Sequence, residues 1–340
     1  MPNRAAQRHR KRIARIVAVD FLVFAALLLT FAYFHHVRVD PMQPTVLPTP
    51  VPAATPAPTP ETSAVPAIAE VVTTPDPNDL LKGRYAARFT DVVIQSENAY
   101  TSPNISLTVD RVSDGRVTYY LADIYIRDIS CLRTAVALEY GKSNRIPTLE
   151  LANFSDAIVA ISGDFFAFRK TGNVAVRNGR EWIRKEPLAS DILVLYYDGT
   201  MEAYYSDKYP DLDAIYARAP YQIWCFGPIL VKDGETPSSY NTTVASANPR
   251  AAIGYYEPGH YCLVLVDGRQ KDYSLGMTMR ELSALFLELG CKLAFNLDGG
   301  DTAVMTYQGE LKSHPDGKPR DVSDIILIGE PVDITALHAD

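Results

Sequence analysis

The sequence lacks the residue patterns from which several familiar enzyme and metal sites are built. Its four cysteines form no CxxC pair, which argues against a zinc ribbon. Only two of its six histidines, His260 and His314, fall in the predicted folded region. There is also no HExxH, GxSxG or P-loop sequence. The sequence therefore offers few residues for a histidine-rich metal site or for a Ser-His-Asp triad.

The cysteines leave two interpretations open. Cys262 and Cys291 each lie in apolar, strand-like sequence, and the other two are Cys131 and Cys225. Buried free thiols and a disulfide are equally compatible with these positions.

Positive charge is scarce beyond the N-terminal segment. Of 33 Lys and Arg and 40 Asp and Glu, residues 1–40 hold 7 and 2, which leaves a net charge of −12 for the remainder. An acidic domain argues against non-specific binding to nucleic acid, so we expect no nucleic-acid partner. An anionic ligand would have to be held by a few well-placed arginines.

The N-terminal segment contains one apolar run long enough to cross a membrane, Ile16 to Phe34. Six Arg and Lys residues precede it, and only Arg38 follows closely. The positive-inside rule then predicts a cytoplasmic basic segment (1–15), a membrane anchor (16–36) and an extracytoplasmic remainder. The alternative is a cleaved signal peptide, which the length of the run disfavours.

The next segment, residues 37–79, contains eleven prolines between Asp40 and Asn78 and has no helical or strand period. This composition predicts an extended, Pro-rich stalk. Residues 80–340 are long enough for one large domain with a substantial core.

Strands dominate the predicted secondary structure of this domain. One helix is indicated, because Thr278 and Glu281 form a capping box and apolar residues recur at helical spacing from Leu282 to Leu289. We therefore predict an α+β fold: a sheet-dominated single domain with few helices. The segments with strand composition are residues 117–128, 157–162, 191–197, 228–231, 260–268 and 291–298.

The segment FNLDGGDTAVM (295–305) is the strongest candidate for a site. An apolar strand brings Asn296 and Asp298 to the turn at Gly299 and Gly300, and Asp301 and Thr302 follow. Paired carboxylates beside an amide and a hydroxyl suit chemistry at a sugar anomeric centre. An ordinary Asp-Gly hairpin turn is the alternative. A hard-cation site at Asp298 and Asp301 is a further, weaker one.

Four other strand-end loops combine Gly, Asp and Arg in the same way. For one arginine alone, a solvated surface charge is the simpler interpretation. These loops contribute Ser162, Gly163 and Asp164; Arg250; Asp267 and Arg269; and Arg320.

The order of SGDFF, NPRAAIGY, VDGR, SLGMTMREL, NLDGGDTAVM and RDVSD resembles that of the phosphodiester glycosidase family. The resemblance covers roughly residues 85–328, and RNG (177–179) and FGPILVKDG (226–234) also match it. The family commonly has NGGFF and DGGGSS where this chain has SGDFF and DGGDTA. The bacterial relatives are often described as exopolysaccharide-related.

The resemblance implies an extracytoplasmic glycoside hydrolase that needs no cofactor and no metal. It would cleave the bond between a sugar anomeric carbon, expected to belong to an N-acetylhexosamine, and a phosphodiester in a cell-envelope glycan. Its partner would be a phosphodiester-linked carbohydrate or cell-wall polymer. The alternative is a cell-envelope glycan-binding or scaffold protein without turnover. The catalytic candidates are Asp298, Asp301, Asp267 and Asp164; the binding candidates are Arg250, Arg269, Arg320, Asn296, Gly299, Gly300, Thr302 and Ser162.

Overall fold

The computed structural model describes residues 44–47, 81, 83–140, 144–166, 172–334 and 337. The predicted basic segment (1–15) and membrane anchor (16–36) lie outside these residues, as does most of the predicted stalk. No helix in the described part of the chain is long and apolar enough to span a membrane. Within the predicted stalk, Thr45–Val46 form a short strand that pairs with the domain.

The described residues form a sheet-dominated α+β domain, as predicted. Every pairing between the described strands is antiparallel. The strands are β1 (Thr45–Val46), β2 (Ile94–Gln95), β3 (Ala99–Thr101), β4 (Ile105–Ser113), β5 (Thr118–Ile126), β6 (Leu132–Val136), β7 (Val159–Ser162), β8 (Val174–Arg177), β9 (Arg180–Arg184), β10 (Ile192–Tyr196), β11 (Met201–Tyr204), β12 (Pro220–Cys225), β13 (Ile229–Lys232), β14 (Arg250–Glu257), β15 (His260–Val266), β16 (Leu293–Asn296), β17 (Met305–Tyr307), β18 (Glu310–Leu311) and β19 (Asp324–Ile328).

Three sheets are built from these strands. The eight-stranded sheet has the order β13-β16-β14-β15-β5-β4-β3-β2. A six-stranded sheet has the order β1-β9-β8-β12-β10-β11, and a five-stranded sheet the order β18-β17-β7-β19-β6. Sequence-distant neighbours such as β7 and β19 show that non-local pairing, rather than hairpins alone, defines this fold.

The β4–β5 hairpin illustrates how local sequence produces a strand pair. The side-chain oxygen Oδ1 of Asp114 accepts hydrogen bonds from the backbone N–H groups of Arg116 (2.8 Å) and Val117 (2.7 Å). Gly115 adopts φ +85°, a conformation that is costly for a residue with a Cβ. The turn therefore fixes the register in which Ser113 pairs with Thr118.

Four α-helices are present in the described part of the chain. The capping box is confirmed: Thr278 donates its backbone N–H to Oε2 of Glu281 (2.8 Å), and Glu281 donates its own to Oγ1 of Thr278 (3.2 Å). The other three helices span only 4 to 7 residues, too few for a helical period to indicate them in the sequence. The helices are α1 (Ala137–Tyr140), α2 (Thr148–Phe154), α3 (Leu212–Tyr216) and α4 (Met279–Glu288).

The main hydrophobic core includes residues from all three sheets. Ile124 of the eight-stranded sheet, Ile161 of the five-stranded sheet and Trp224 of the six-stranded sheet belong to the same buried cluster. Smaller clusters join β14 and β15 with α4, the six-stranded sheet with α3, and the five-stranded sheet with α2. Apolar burial on both faces stabilises the sheets.

The sheet ends meet where the candidate residues lie. Strand β14 begins at Arg250, at the end of the sheet where its neighbours β15 and β16 finish. Strand β7 finishes at Ser162 in the five-stranded sheet. The backbone N–H of Asp298 donates to the carbonyl of Gly163 at 2.9 Å, so the two sheets are joined at this point.

Candidate active site

The turn that follows β16 packs directly on the segment that leads into β14. A Cβ at Gly299 would lie 2.7 Å from the carbonyl oxygen of Pro249, too close for any side chain. Gly300 has φ +63° and donates its N–H to the same carbonyl at 2.9 Å. The Gly-Gly pair is therefore required by close backbone approach.

Asp298 lies at the edge of this packed turn and is 8% exposed. Arg320 donates from Nη2 to its Oδ2 at 3.3 Å. The Arg320 guanidinium also lies 5.3 Å from the ring centroid of Phe165. The backbone N–H of Arg320 donates to the carbonyl of Asp301 at 2.9 Å. The structure thus brings Asp298 and Arg320 together, and their functional role stays a prediction.

Arg269 lies on the other side of the turn. Its Nε and Nη2 each donate to Oδ1 of Asn248 at 3.2 Å, and its Nη1 donates to Oδ1 of Asp301. Arg269 adopts φ +61°, which is uncommon for a non-glycine residue and occurs often at functional sites. The contact between Nη1 and Oδ1 makes Arg269 and Asp301 an ion pair.

Arg250 is buried, with 4% of its surface exposed, and its hydrogen-bond acceptors are all neutral. Its guanidinium donates to the carbonyls of Met277 (2.9 Å), Val244 (3.0 Å) and Ser246. It forms no ion pair with any carboxylate in the described part of the chain. Burial and the nearby charge of Arg269 lower the pKa of Arg250 to about 10, so the side chain is still charged at neutral pH. Its charge is not balanced by a carboxylate.

Asp267 is almost fully buried beside the same turn. Its carboxylate accepts hydrogen bonds from the Tyr273 hydroxyl (2.9 Å) and from the backbone N–H of His314 (3.1 Å to each oxygen). Burial raises the pKa of Asp267, because a buried carboxylate loses its hydration. Asp267, Arg269 and Asp301 line one small depression, and their membership of a functional site stays a prediction.

Asp164 has a different environment from the other candidates. It is fully buried, and its Oδ1 accepts from Arg177 at 2.6 Å, while its Oδ2 accepts from the backbone N–H of Cys225 at 2.7 Å. Arg177 also donates from Nε to Asp324 at 3.0 Å. Burial and the charge of Asp164 raise the pKa of Asp324 to about 7. This geometry favours a structural role for Asp164 rather than the catalytic role that we predicted.

The remaining predicted binding residues are engaged mainly within the protein. The Ser162 hydroxyl donates to the carbonyl of Asp298 at 2.6 Å, and the Thr302 hydroxyl donates to that of Gly299 at 2.8 Å. Asn296 donates from Nδ2 to the carbonyl of Gly227 at 2.8 Å, while its buried Oδ1 has no hydrogen-bond partner among the described residues. Ser162 and Thr302 therefore shape the turn, and their contact with substrate stays a prediction.

Sequence reasoning missed four residues that organise this region. Asn248 fixes Arg269, Tyr273 holds Asp267, and Arg177 and Asp324 surround Asp164. Arg177 and Asp324 did lie in the quoted segments RNG and RDVSD, but 147 residues separate them. Nothing in one sequence shows that residues so far apart are in contact.

The hard-cation hypothesis receives no support from this geometry. No group of three or more His, Cys, Asp or Glu side chains with metal-binding geometry occurs among the residues that the structure describes. Asp298 and Asp301 each pair with a different arginine, which satisfies charge that a cation would otherwise neutralise.

Fold and site together define a sheet-rich domain with an arginine- and aspartate-bearing site at one meeting point of its sheets. A sequence model of the phosphodiester glycosidase family matches residues 155–329, about half of the chain. The chain belongs to the phosphodiester glycosidase family.

Individual relatives are more distant. The SPbeta prophage-derived uncharacterized protein YomE of Bacillus subtilis is 31% identical over 206 residues, which cover 58% of this chain and 31% of that protein. The N-acetylglucosamine-1-phosphodiester alpha-N-acetylglucosaminidase of Bos taurus is 26% identical over 260 residues, 67% of this chain and 47% of that enzyme. The chain thus spans about a third to a half of the length of these relatives.

Solved structures show a similar fold. The catalytic domain of the zebrafish N-acetylglucosamine-1-phosphodiester alpha-N-acetylglucosaminidase superposes with a TM-score of 0.51 at 18% identity, covering 66% of this chain and 83% of that one. A hypothetical protein from Synechocystis gives a TM-score of 0.50 at 15% identity and covers 67% and 62% of the two chains. At these identities the likeness concerns the fold alone.

Proposed function

We propose that this protein hydrolyses the bond between a sugar anomeric carbon and a phosphodiester oxygen. One observation carries the proposal: a single turn, residues 298–301, contacts the segments that bear Arg250, Arg269 and Arg320 and presents Asp298 beside them. The enzyme name of the cattle relative, which specifies an N-acetylglucosamine phosphodiester, supports this choice of bond.

The arginines suit the leaving group of such a reaction. A phosphomonoester leaves as a stable anion, so its departure needs charge neutralisation more than protonation. Arg269 and Arg320 lie at the surface of the turn and would contact the phosphate, since guanidinium groups bind phosphate oxygens bidentately. Arg250 is buried near Arg269 and contributes positive potential from within the fold.

Asp298 suits the sugar side of the bond. Cleavage of the anomeric C–O bond leaves positive charge on the sugar ring, and a nearby carboxylate stabilises that charge. Nη2 of Arg320 lies 3.3 Å from Oδ2 of Asp298, so the carboxylate has a positive charge beside it. Water adds to the anomeric carbon and gives up a proton to solvent, while the C–O bond breaks and its bonding electrons leave with the phosphate oxygen.

The proposed location is the outer side of a cell membrane, with residues 16–36 as the anchor and 37–79 as a stalk. The basic residues before the apolar run and the acidic charge beyond it support this topology. The proposed substrate is accordingly a phosphodiester-linked glycan of the cell envelope, with an N-acetylhexosamine as the first sugar to test.

The test is release of reducing sugar by the purified full-length chain from a panel of sugar 1-phosphate diesters, including the methyl diester of N-acetylglucosamine 1-phosphate. We expect turnover by the native protein and a loss of at least about 100-fold in Asp298→Asn, because the amide cannot stabilise the developing charge. Asp110→Asn, at an exposed position on β4, is the control and should retain full activity.

Two outcomes would contradict the proposal. Turnover that survives Asp298→Asn would remove Asp298 from the reaction. No release from any diester, together with binding of cell-wall polymer by native protein and variant alike, would favour the glycan-binding alternative.

A further inference from the structure

The guanidinium of Arg269 has a second partner besides the carboxylate of Asp301. Asn248 already accepts hydrogen bonds from Nε and Nη2 of that guanidinium, both at 3.2 Å. Asp301 contacts the remaining nitrogen, Nη1, and the side chains of this pair are 60% and 42% exposed for Asp301 and Arg269. Exposed ion pairs contribute little to stability. The carboxylate at position 301 therefore acts mainly on the charge of its surroundings.

The depression beside the turn is rich in negative charge. Three carboxylates line it, those of Asp267, Asp301 and Asp316, against the single guanidinium of Arg269. Asp267 is held in place by Tyr273 and His314, whereas Asp301 alone of the three pairs with an arginine of the proposed site. A ligand placed on Arg269 thus meets a carboxylate in direct contact with the same guanidinium.

The proposed reaction changes the charge of the phosphate. The substrate is a phosphodiester and carries one negative charge. Water adds to the sugar, the C–O bond breaks, and the phosphate leaves as a monoester. The bonding electrons go to the phosphate oxygen, and the attacking water gives up its proton to solvent. The monoester therefore carries two negative charges, which it keeps at neutral pH because its second pKa is about 6. A fixed carboxylate repels the product about twice as strongly as the substrate, because the Coulomb energy is proportional to ligand charge.

We propose that Asp301 is a specificity residue whose carboxylate makes the site favour singly charged phosphodiesters and expel doubly charged phosphomonoesters. This inference rests on the proposed function, since it assumes that Arg269 contacts the phosphate. It assigns Asp301 a role at the phosphate rather than at the sugar. The negative charge of Asp301 would then allow the singly charged substrate to bind and would favour release of the doubly charged product.

The test measures anion binding without turnover. Dimethyl phosphate serves as the singly charged probe and methyl phosphate at pH 8 as the doubly charged probe, each titrated by calorimetry into the full-length chain. In Asp301→Asn the affinity for methyl phosphate, relative to dimethyl phosphate, should rise about tenfold, because one repulsive charge at contact distance is removed. Asp301→Glu keeps the charge and should preserve the native ratio. Asp110→Asn matches the change in net charge at an exposed position that does not line the depression and should leave the ratio unchanged.

The possible results separate this inference from the proposed function. An unchanged ratio in Asp301→Asn, or weaker binding of both probes, would overturn the specificity role and leave Asp301 as a support for Arg269. A raised ratio in a protein that releases no sugar would retain the charge role and overturn the hydrolase proposal. Failure of both probes to bind the native chain and the variant would overturn the specificity role, while release of sugar would still decide the hydrolase proposal.

Discussion

Arg177 and Arg250 are both buried arginines near the same meeting point of sheets, yet their surroundings differ in charge. Arg177 lies between two carboxylates, those of Asp164 and Asp324, at 2.6 and 3.0 Å. Arg250 donates only to backbone carbonyls and has no carboxylate partner in the described part of the chain. The first cluster is electrostatically complete without a ligand, whereas the second has a positive charge that an anion can neutralise.

This difference separates structural from functional candidates better than residue type does. Asp164 and Asp298 are both aspartates in strand-end loops, and the sequence ranked both as possible catalysts. The arginine beside Asp164 is fully buried, whereas Arg320 beside Asp298 is exposed to solvent. A buried ion pair must be complete because desolvated charge is costly, but a site that binds charged ligands must leave some charge unbalanced.

The largest effect on stability should come from the cluster of Arg177, Asp164 and Asp324. Arg177→Met leaves two carboxylates buried without their common partner, and we expect a loss of about 3–5 kcal/mol in the free energy of unfolding. Urea unfolding of the full-length chain measures it. Arg184→Met is the matched control, because Arg184 pairs with Asp213 at the surface and should contribute at most about 1 kcal/mol. Equal losses in the two variants would show that burial of the Arg177 cluster carries no special cost.

The next effect is a pH dependence of stability. The folded-state pKa of Asp324 is about 7, raised from its usual value of 3.8, so the folded state favours the protonated carboxyl. The contribution of Asp324 to the free energy of unfolding is therefore fully present below about pH 4. It is lost as the pH rises toward 7, by about 1–4 kcal/mol.

Comparison of Asp324→Asn with the native chain separates the contribution of Asp324 from those of the other titrating groups. Relative to the native chain, the variant should gain stability between pH 5 and pH 8, because its side chain cannot ionise. Thermal unfolding of both proteins at each pH gives the difference. A difference that stays constant across this range would mean that Asp324 is already ionised at pH 5.

The smallest effect on stability should come from Arg250, whose charge is not balanced by a carboxylate in the described part of the chain. Arg250→Met removes a buried charge but leaves three carbonyls without a donor, so we expect a net loss of only about 1–2 kcal/mol. Dimethyl phosphate affinity, measured by calorimetry, should fall about tenfold, because positive potential at the site is lost. Arg218→Met, which breaks an exposed pair with Glu202, controls for lost charge. A large loss of stability with unchanged anion affinity would place Arg250 with Arg177 as a structural residue.

Local sequence predicted those parts of the fold that local physics determines. The α4 capping box and the strand over 260–268, observed as His260–Val266, depend on residues close together in the chain. The three short helices and the division into three sheets were not predicted. Their positions depend on packing against sequence-distant strands, which periodicity does not report.

The candidate site divides in the same way. Its turn was found because an apolar strand ending in Asn, Asp and two glycines is unusual in itself, and the arginines were found because they follow or precede strands. Pairings such as Arg320 with Asp298 and Arg269 with Asp301 were beyond the reach of the sequence, because each joins segments from different strands of the folded chain.

By itself, the sequence determined the family, the sheet-rich class and the residues from which a site can be built, since these follow from composition, local patterning and motif order. Only the tertiary structure decided which of those residues share an environment. Burial and charge balance are properties of the packed chain. An aspartate at position 164 is a buried ion-pair partner, whereas an aspartate at position 298 lies at the edge of an arginine-bearing turn.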